Sequence, residues 1–403
     1  MSTDLRSSLD TLRRLAGAVV LQLVPVSRDR VLDPGAFDIA LALRQAGARS
    51  IIAGPVPTRI VELNAAGVEW LTLDHDSINP LKLRANARRL EAFVTAERVD
   101  VIHAYNAGAA WSAMAATEKL AVWLVTSLPE SVPPRRSLRG LFQTPLARGD
   151  HMIAHSSFTA GPLISRFEIP RERVTIVPHP VDPGMFDPAS MQPQRVLALR
   201  NAWKVPQGDR IVLVPGPIAP GSGQTILVDA ADSLPAAMLD GITFVLVGNP
   251  HADERYAREL MQRAQQTNVI SRLRIVDNCT DWPAALAAAD IVAMPALEPN
   301  PFGWPVPQSQ AMARPVIASA IGILPENMLA PPRMPGDLRT GWLFPPGDVP
   351  ALAQALREAL SLDLAAYRAL AARARQFAQF MFSPQNVAVS VLNVYSQLLA
   401  GPR

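Results

Sequence analysis

A single cysteine, Cys279, in 403 residues excludes an internal disulfide and any zinc site built on cysteine pairs, and suits a reducing compartment. Charge is scarce as well. Asp, Glu, Lys and Arg make up 18% of the chain, where about a quarter is usual, so large buried surfaces are expected and disorder is not. Aromatic residues are only 6%, and no dense Arg/Lys block interleaves with them, which excludes a stacking platform for nucleic acid. The six histidines form neither an HExxH motif nor any other pair with metal-ligand spacing. Ser156 and Ser157 have no elbow or base around them, so hydrolase chemistry gets no support. Long apolar runs are missing too. Ala16–Val26 falls short of the roughly 18–20 residues a membrane span needs. Arg13-Arg14 precedes it as in a signal peptide, but Asp4 and Asp10 spoil the basic leader, and a first β-strand is the better reading. A cytoplasmic protein is expected.

What is abundant is proline, 38 residues, which stiffens loops and shapes pockets. The net charge of +3 suits anionic metabolites or a membrane surface. Short apolar runs alternate with helical patterns throughout, which argues for βαβ units and parallel sheets. Strands are expected at Ala18–Val24, Arg49–Ala53, Glu69–Leu73, Val99–His103, Val122–Thr126 and His151–Ala154, and later at Ile211–Val214, Phe244–Val247, Leu273–Val276, Ile291–Met294 and Pro315–Ala318. Their unbroken apolar character means burial on both faces. Helices are expected at Ala36–Ala46, Arg59–Ala66, Leu81–Glu97, Ala109–Glu118, Arg195–Lys204, Ala252–Thr267, Leu352–Leu360 and Tyr367–Leu399. The turn-rich stretch after Pro178 separates two such series. The expected division is residues 1–180, a connection at 181–208, a second domain at 209–375, and a terminal helix at 376–403.

The stretch Glu298-Pro-Asn-Pro-Phe-Gly-Trp-Pro-Val-Pro-Gln-Ser-Gln-Ala-Met-Ala-Arg-Pro-Val-Ile-Ala-Ser319 organises the second half. A loop running onto a helix at Gln308–Ala313, ahead of a buried strand, offers backbone N–H groups to an anion. This stretch resembles the signature of the retaining glycosyltransferases of family 4. Phe302-Gly303 and Ala311-Met312-Ala313-Arg314-Pro315 fall in register with it, although the family has glycine where Ala313 stands. The family's two glutamates read Asn300 and Gln308 here. Shorter matches accompany it in order: Asn79-Pro-Leu81, Val99-Asp-Val-Ile-His103, Trp111-Ser-Ala113, Ala147-Arg-Gly-Asp150, His155-Ser-Ser-Phe158, Val177-Pro-His-Pro-Val-Asp182, Val214-Pro-Gly216, Val247-Gly248, Ala289-Asp290, Gly341-Trp-Leu343 and Pro345-Pro-Gly-Asp348.

The resemblance implies a GT-B fold: two Rossmann-like, doubly wound parallel-sheet domains facing a cleft, with a C-terminal helix (Phe382–Leu399) crossing back. It implies transfer of a hexose from a nucleotide sugar to an envelope glycan or lipid-linked acceptor, with retention and without a metal cofactor. The implied donor-binding residues are Arg30, Gly216, Ser222, Gly223, Gln224, Gly248, Phe302, Gly303 and Gln308. The implied catalytic residues are Glu130, Glu298 and Asn300. Nucleic acid is not an expected partner.

The family's charged groups are replaced at every one of these places. Arg30-Val31 stands for a Gly-Gly loop, where a β-branched valine resists positive φ. Leu128-Pro129 stands for a His-Gly pair, with Glu130 beside it. Pro217 and Ser222 stand for an arginine and a lysine that pair with diphosphate, and a hydroxyl is a weaker partner than a cation. Gly221-Ser-Gly223 is left as a backbone nest for phosphate or as a simple βα turn. Gln308 keeps an amide oxygen for ribose. Two readings follow, an enzyme with a rebuilt site or a non-catalytic GT-B protein that binds a glycan, a nucleotide or a partner. Asp74-His-Asp76 imitates a metal-binding Asp-x-Asp but reads better as a solvated loop. His103 reads as a core histidine and His179 as structural. Arg135, Arg136 and Arg139, with Leu138, Leu141 and Phe142, offer peripheral contact with the inner membrane face.

Overall fold

The computed structural model describes residues 10–25, 32–58, 60–75, 77–118, 120–129, 138–299 and 303–402. The chain divides into two compact units, 1–180 with 384–403, and 181–383.

The first unit holds seven strands: β1 (Val19–Leu23), β2 (Arg49–Gly54), β3 (Glu69–Thr72), β4 (Val101–Ala104), β5 (Trp123–Ser127), β6 (His151–Ala154) and β7 (Val174–Ile176). All pair in parallel, in the order β3-β2-β1-β4-β5-β6-β7. The order reverses between β1 and β4, the place where an open α/β sheet forms a crevice at its carboxyl edge. β4 and β6 are buried at every position, as their unbroken apolar runs require. β7 escapes the sequence pattern because it is a three-residue, partly exposed edge strand with little apolar signal.

The second unit repeats the plan with β8 (Arg210–Pro215), β9 (Ile242–Val247), β10 (Leu273–Val276), β11 (Ile291–Met294), β12 (Val316–Ser319) and β13 (Gly341–Phe344). They run parallel in the order β10-β9-β8-β11-β12-β13, reversing between β8 and β11. Residues 181–208 belong to this unit. Their helix Pro193–Ala202 is held by Arg195, which grips Asp281 at 2.6 and 2.8 Å.

The expected helix Tyr367–Leu399 is two helices, Leu364–Met381 in the second unit and Pro384–Ala400 in the first. Pro384 has no N–H to donate backward, so the first helix ends before it. Just past the end of that helix the Phe382 carbonyl accepts from Val181 N–H at 2.7 Å, tying together the two places where the chain passes between units.

The terminal helix packs on the helix Pro34–Gln45 and sinks Tyr395 fully into the first unit. There its hydroxyl lies 2.7 Å from His103 Nδ1, and His103 Nε2 lies 3.0 Å from Ser127 Oγ. His103 is 1% exposed, and burial, helped by the charge of His155, lowers its pKa to about 3. It is the core histidine that its strand position suggests. His179 stacks on His155 with ring centroids 3.6 Å apart.

Two predictions follow from this buried contact. A histidine kept neutral in the fold binds a proton on unfolding below its ordinary pKa of 6.5, so its contribution is intact above that value and declines down to about 3. Stability should fall on acidification through this window by up to about 1.4 kcal/mol per pH unit. The slope should flatten in His103→Gln, measured by urea unfolding across pH. Tyr395→Phe strands a buried ring nitrogen and should cost about 1–3 kcal/mol; an unchanged unfolding midpoint would remove this contact as the anchor of the terminal helix.

Candidate donor site in the second unit

At the β8/β11 switch two loops meet. After β8 the chain turns at Gly216 (φ +136°), makes a tight turn over Pro220–Ser222, and enters the helix Gln224–Asp232 through Gly223 (φ +72°). After β11 the chain passes Pro295 to Glu298, and both Leu297 N–H and Glu298 N–H donate to Gly221 O, at 2.8 and 3.2 Å. A Cβ on Gly223 would lie 1.8 Å from Pro295 O, and one on Gly221 would lie 2.9 Å from Glu298 Oε2. Gly248 ends β9 under the same pressure, with its Cβ position 2.1 Å from Gly216 O. Gly223 and Gly248 are dictated by backbone meeting backbone, whereas Gly221 meets a side chain. Glu298 and the Gly221–Gly223 loop are thus brought together, with an exposed carboxylate set against the loop.

Two of the loop's amides close its own turn. Ser222 N–H donates to Ala219 O at 3.0 Å and Gly223 N–H to Pro220 O at 3.4 Å, so both amides serve the turn itself. Gln224 lies behind the same loop. It is fully buried, Nε2 donates to Pro217 O at 2.7 Å, and Oε1 accepts from Tyr256 hydroxyl at 3.1 Å. It braces the loop from inside. Ser222 is half-buried at the end of the turn.

The expected anion site at the next helix fails for a related reason. That helix is Pro305–Ala311, seven residues long and starting three residues earlier than the pattern suggests. Pro305 and Pro307 have no N–H, Val306 N–H donates to Gly303 O at 3.1 Å, and Gln308 N–H to Trp304 O at 3.3 Å. None of the first-turn amides is left for a ligand. Gly303 is buried at φ +24°, with a Cβ position 2.5 Å from Ile323 Cγ2. Asn300 and Phe302 lie outside the described residues, as do Arg30, Glu130, Asp76, Arg135 and Arg136; the Arg139 side chain is outside them as well.

What the carboxyl edge does offer is a cavity of about 460 Å³. Pro215–Pro217 and Val247–Asn249 form two walls, and Asn278, Cys279 and Trp282 a third. No lysine, arginine or histidine lines it among the described residues. Burial raises the Cys279 thiol pKa, which keeps it protonated. Trp282 opens the helix Trp282–Ala288, whose N-cap Asp281 accepts from Ala284 N–H at 3.2 Å. Arg195 holds that carboxylate well below the usual range. Trp282 Nε1 donates to Gln308 Oε1 at 2.7 Å, so the amide oxygen expected to meet ribose is already engaged by the indole. Asn249, Asn278, Cys279 and Trp282 carry no motif; only the rule that ligands sit beyond strand ends points to them.

In the first unit, Leu128 is 4% exposed in the core where the family has its sugar-contacting histidine. The Asp74–Asp76 loop differs from a solvated one at its centre. His75 is buried, with Nε2 at 3.2 and 3.1 Å from the carbonyl oxygens of Val24 and Ala53, while Asp74 pairs with Lys82 at 3.5 Å. The described residues hold no group of side chains suited to a metal ion, and none of their helices is long and apolar enough to cross a membrane.

The backbone geometry here makes two stability predictions. Gly223→Ala forces a clash and a strained φ and should cost about 3 kcal/mol or more. Ala313 holds φ +56° where the family has glycine, so Ala313→Gly should stabilise by roughly 1 kcal/mol. Thermal unfolding measures both, and a destabilised Ala313→Gly would refute the strain at that residue.

Comparison with known proteins agrees with this geometry. The Glycosyltransferase Family 4 model matches residues 35–184, and the model for Glycosyl transferases group 1 matches residues 209–361. A D-inositol 3-phosphate glycosyltransferase of Salinispora tropica is 31% identical over 266 residues, which cover 64% of this chain and 53% of that protein. The enzyme of the same name from Xylanimonas cellulosilytica is 27% identical over 334 residues, 78% of this chain and 75% of that one. The chain spans about half the length of the first of these relatives. Among solved structures, a glycosyltransferase of Rickettsia africae ESF-5 has a TM-score of 0.74 at 22% identity, covering 96% of this chain and 100% of that one. Anabaena HepE, in complex with UDP and glucose, has a TM-score of 0.67 at 20% identity, covering 94% and 100%. Two doubly wound parallel sheets, a terminal helix returned to the first unit, and two consecutive family matches lead to one conclusion: the chain belongs to the family 4 glycosyltransferases and has their GT-B fold.

Proposed function

We propose that this protein transfers a hexose from a nucleotide-sugar donor to an envelope glycan or lipid-linked acceptor, with retention at the anomeric carbon. The single observation that carries the donor half is the cavity at the carboxyl ends of β8, β9 and β10. About 460 Å³ suits a nucleoside. In this reading the base lies against Trp282, the ribose faces Gln308 and Gly303, and the phosphates pass Gly216, Ser222 and Gly248 toward Glu298 and Asn300. The complex of Anabaena HepE with UDP and glucose supports a uridine nucleotide. The name shared by the Salinispora and Xylanimonas relatives supports a phosphorylated polyol as one acceptor to try. Arg135, Arg136 and Arg139 would bring the protein to the inner membrane face.

A second reading, binding without transfer, is favoured by one specific observation: the site has lost its donors twice over. Metal-free departure of a nucleoside diphosphate needs cations or aimed N–H groups, and deleting one such donor commonly costs about a hundred- to a thousandfold in rate. Here the cavity lining has no cation among the described residues, the Ser222 and Gly223 amides close the turn, and Pro305 and Pro307 have none to offer.

Calorimetric titration with UDP and a panel of nucleotide sugars, alongside an assay of UDP release, separates the two. Binding is expected in both, with Trp282→Ala weakening it about tenfold or more, that is about 1.4 kcal/mol. Gln308→Ala should weaken it less, through the freed indole. No heat with any nucleotide up to about millimolar concentration would sink the donor site itself. Tight binding without UDP release would give the second reading the field.

A further inference from the structure

The amino-terminal edge of the second sheet carries a cavity that the proposed transfer does not use. It measures about 610 Å³ and lies where β8, β11 and β12 begin, the opposite edge from the Trp282 cavity. Its charged lining is Arg200, Asp209, Arg210, Asp290 and Arg314. The two carboxylates are committed to the fold: Asp209 Oδ2 accepts from Thr243 hydroxyl at 2.6 Å and Asp290 Oδ2 from Ile211 N–H at 2.8 Å. Among the described residues the three arginines bind only uncharged oxygens. Arg200 Nη2 donates to Asp209 O at 2.6 Å, Arg210 Nη1 to Leu360 O at 3.2 Å, and Arg314 Nη2 to Ala287 O at 2.7 Å. The Nε atoms of Arg210 and Arg314 are buried with no acceptor among the described residues. Elsewhere in this unit Arg195, Arg263, Arg339 and Arg375 each hold a carboxylate. Three guanidinium groups outnumber the two carboxylates in this lining, and none of the three is paired with a carboxylate among the described residues, an arrangement suited to bidentate oxyanion binding.

An apolar groove of about 370 Å³ continues from this cavity, sharing Val196, Leu197, Arg200 and Arg314 and adding Met191 and Pro193. Leu197 is 59% exposed on it. We propose that this edge binds a phosphomonoester with an apolar body. The phosphate sits among Arg200, Arg210 and Arg314, and the body covers Leu197 and Met191. Phosphate suits the site better than a lone carboxylate because three forked cations line it, and the groove explains the exposed leucine. The site is separate from the nucleotide cavity, and its occupancy does not depend on the transferase reading.

The test is calorimetric titration of the full chain with hexyl phosphate, inorganic phosphate and hexanol. Hexyl phosphate should bind best, and less well at high salt. Arg314→Gln should weaken it about tenfold or more. Arg200→Gln, at a surface helix where folding is not at risk, should weaken it severalfold. Leu197→Ser should weaken hexyl phosphate and leave inorganic phosphate unchanged, and Trp282→Ala should change neither. Vesicles containing phosphatidic acid distinguish the sources. Capture by vesicles assigns a lipid phosphate, and binding of hexyl phosphate without capture assigns a free metabolite. The proposal falls if hexyl phosphate binds no better than hexanol, or if Arg200→Gln and Leu197→Ser both leave its affinity unchanged.

Discussion

The second unit depends on a contact with no side chain in it, the approach of Gly223 to the carbonyl of Pro295 across the switch of the sheet. A methyl group at that glycine would stand 1.8 Å from the oxygen, so the two loops meet only while the position stays bare. The contact sets the entry of the helix Gln224–Asp232 and holds Gly221 O where Leu297 and Glu298 can donate to it. Gln224, buried behind the loop and bonded to Pro217 and Tyr256, fixes the same turn from the other side.

That packing has an electrostatic consequence. Amides that close turns against neighbouring carbonyls do not face a ligand, and the prolines at Pro305 and Pro307 remove two more donors outright. The lining of the Trp282 cavity at the carboxyl edge is therefore uncharged among the described residues, and Glu298 stands against the Gly221 loop. The amino edge differs, with Arg200, Arg210 and Arg314 beside Asp209 and Asp290 and bonded to uncharged oxygens among the described residues. One parallel sheet thus presents a neutral pocket at one end and a cationic one at the other, and each suits a different part of ligand chemistry.

In the first unit the terminal helix takes the organising role. Tyr395 reaches His103 on β4, and His103 reaches Ser127 on β5, so a residue near the end of the chain joins the centre of the first sheet. A neutral imidazole bonded at both nitrogens is stable in that apolar setting. The break at Pro384 makes the reach possible, since an unbroken helix would have continued within the second unit.

The architecture was legible because parallel strands buried on both faces write themselves as apolar runs, as at Phe244–Val247 and Ile291–Met294. β7 and β13 were not legible as strands, being short edges whose place comes from neighbours. The replacement of charged groups was also legible in Pro217, Ser222, Asn300 and Gln308. The stretch from Glu298 to Ser319 kept its outline, but its backbone donors could be counted only in three dimensions. Sequence alone determined the βα alternation, the family and the loss of side-chain charge, because these depend on residue type and local spacing. Tertiary structure decided that Gln224 is a brace, that Gln308 serves Trp282, and that three distant arginines share one cavity. Each of those depends on which groups from separate segments meet, and on which hydrogen bonds are already made when they do.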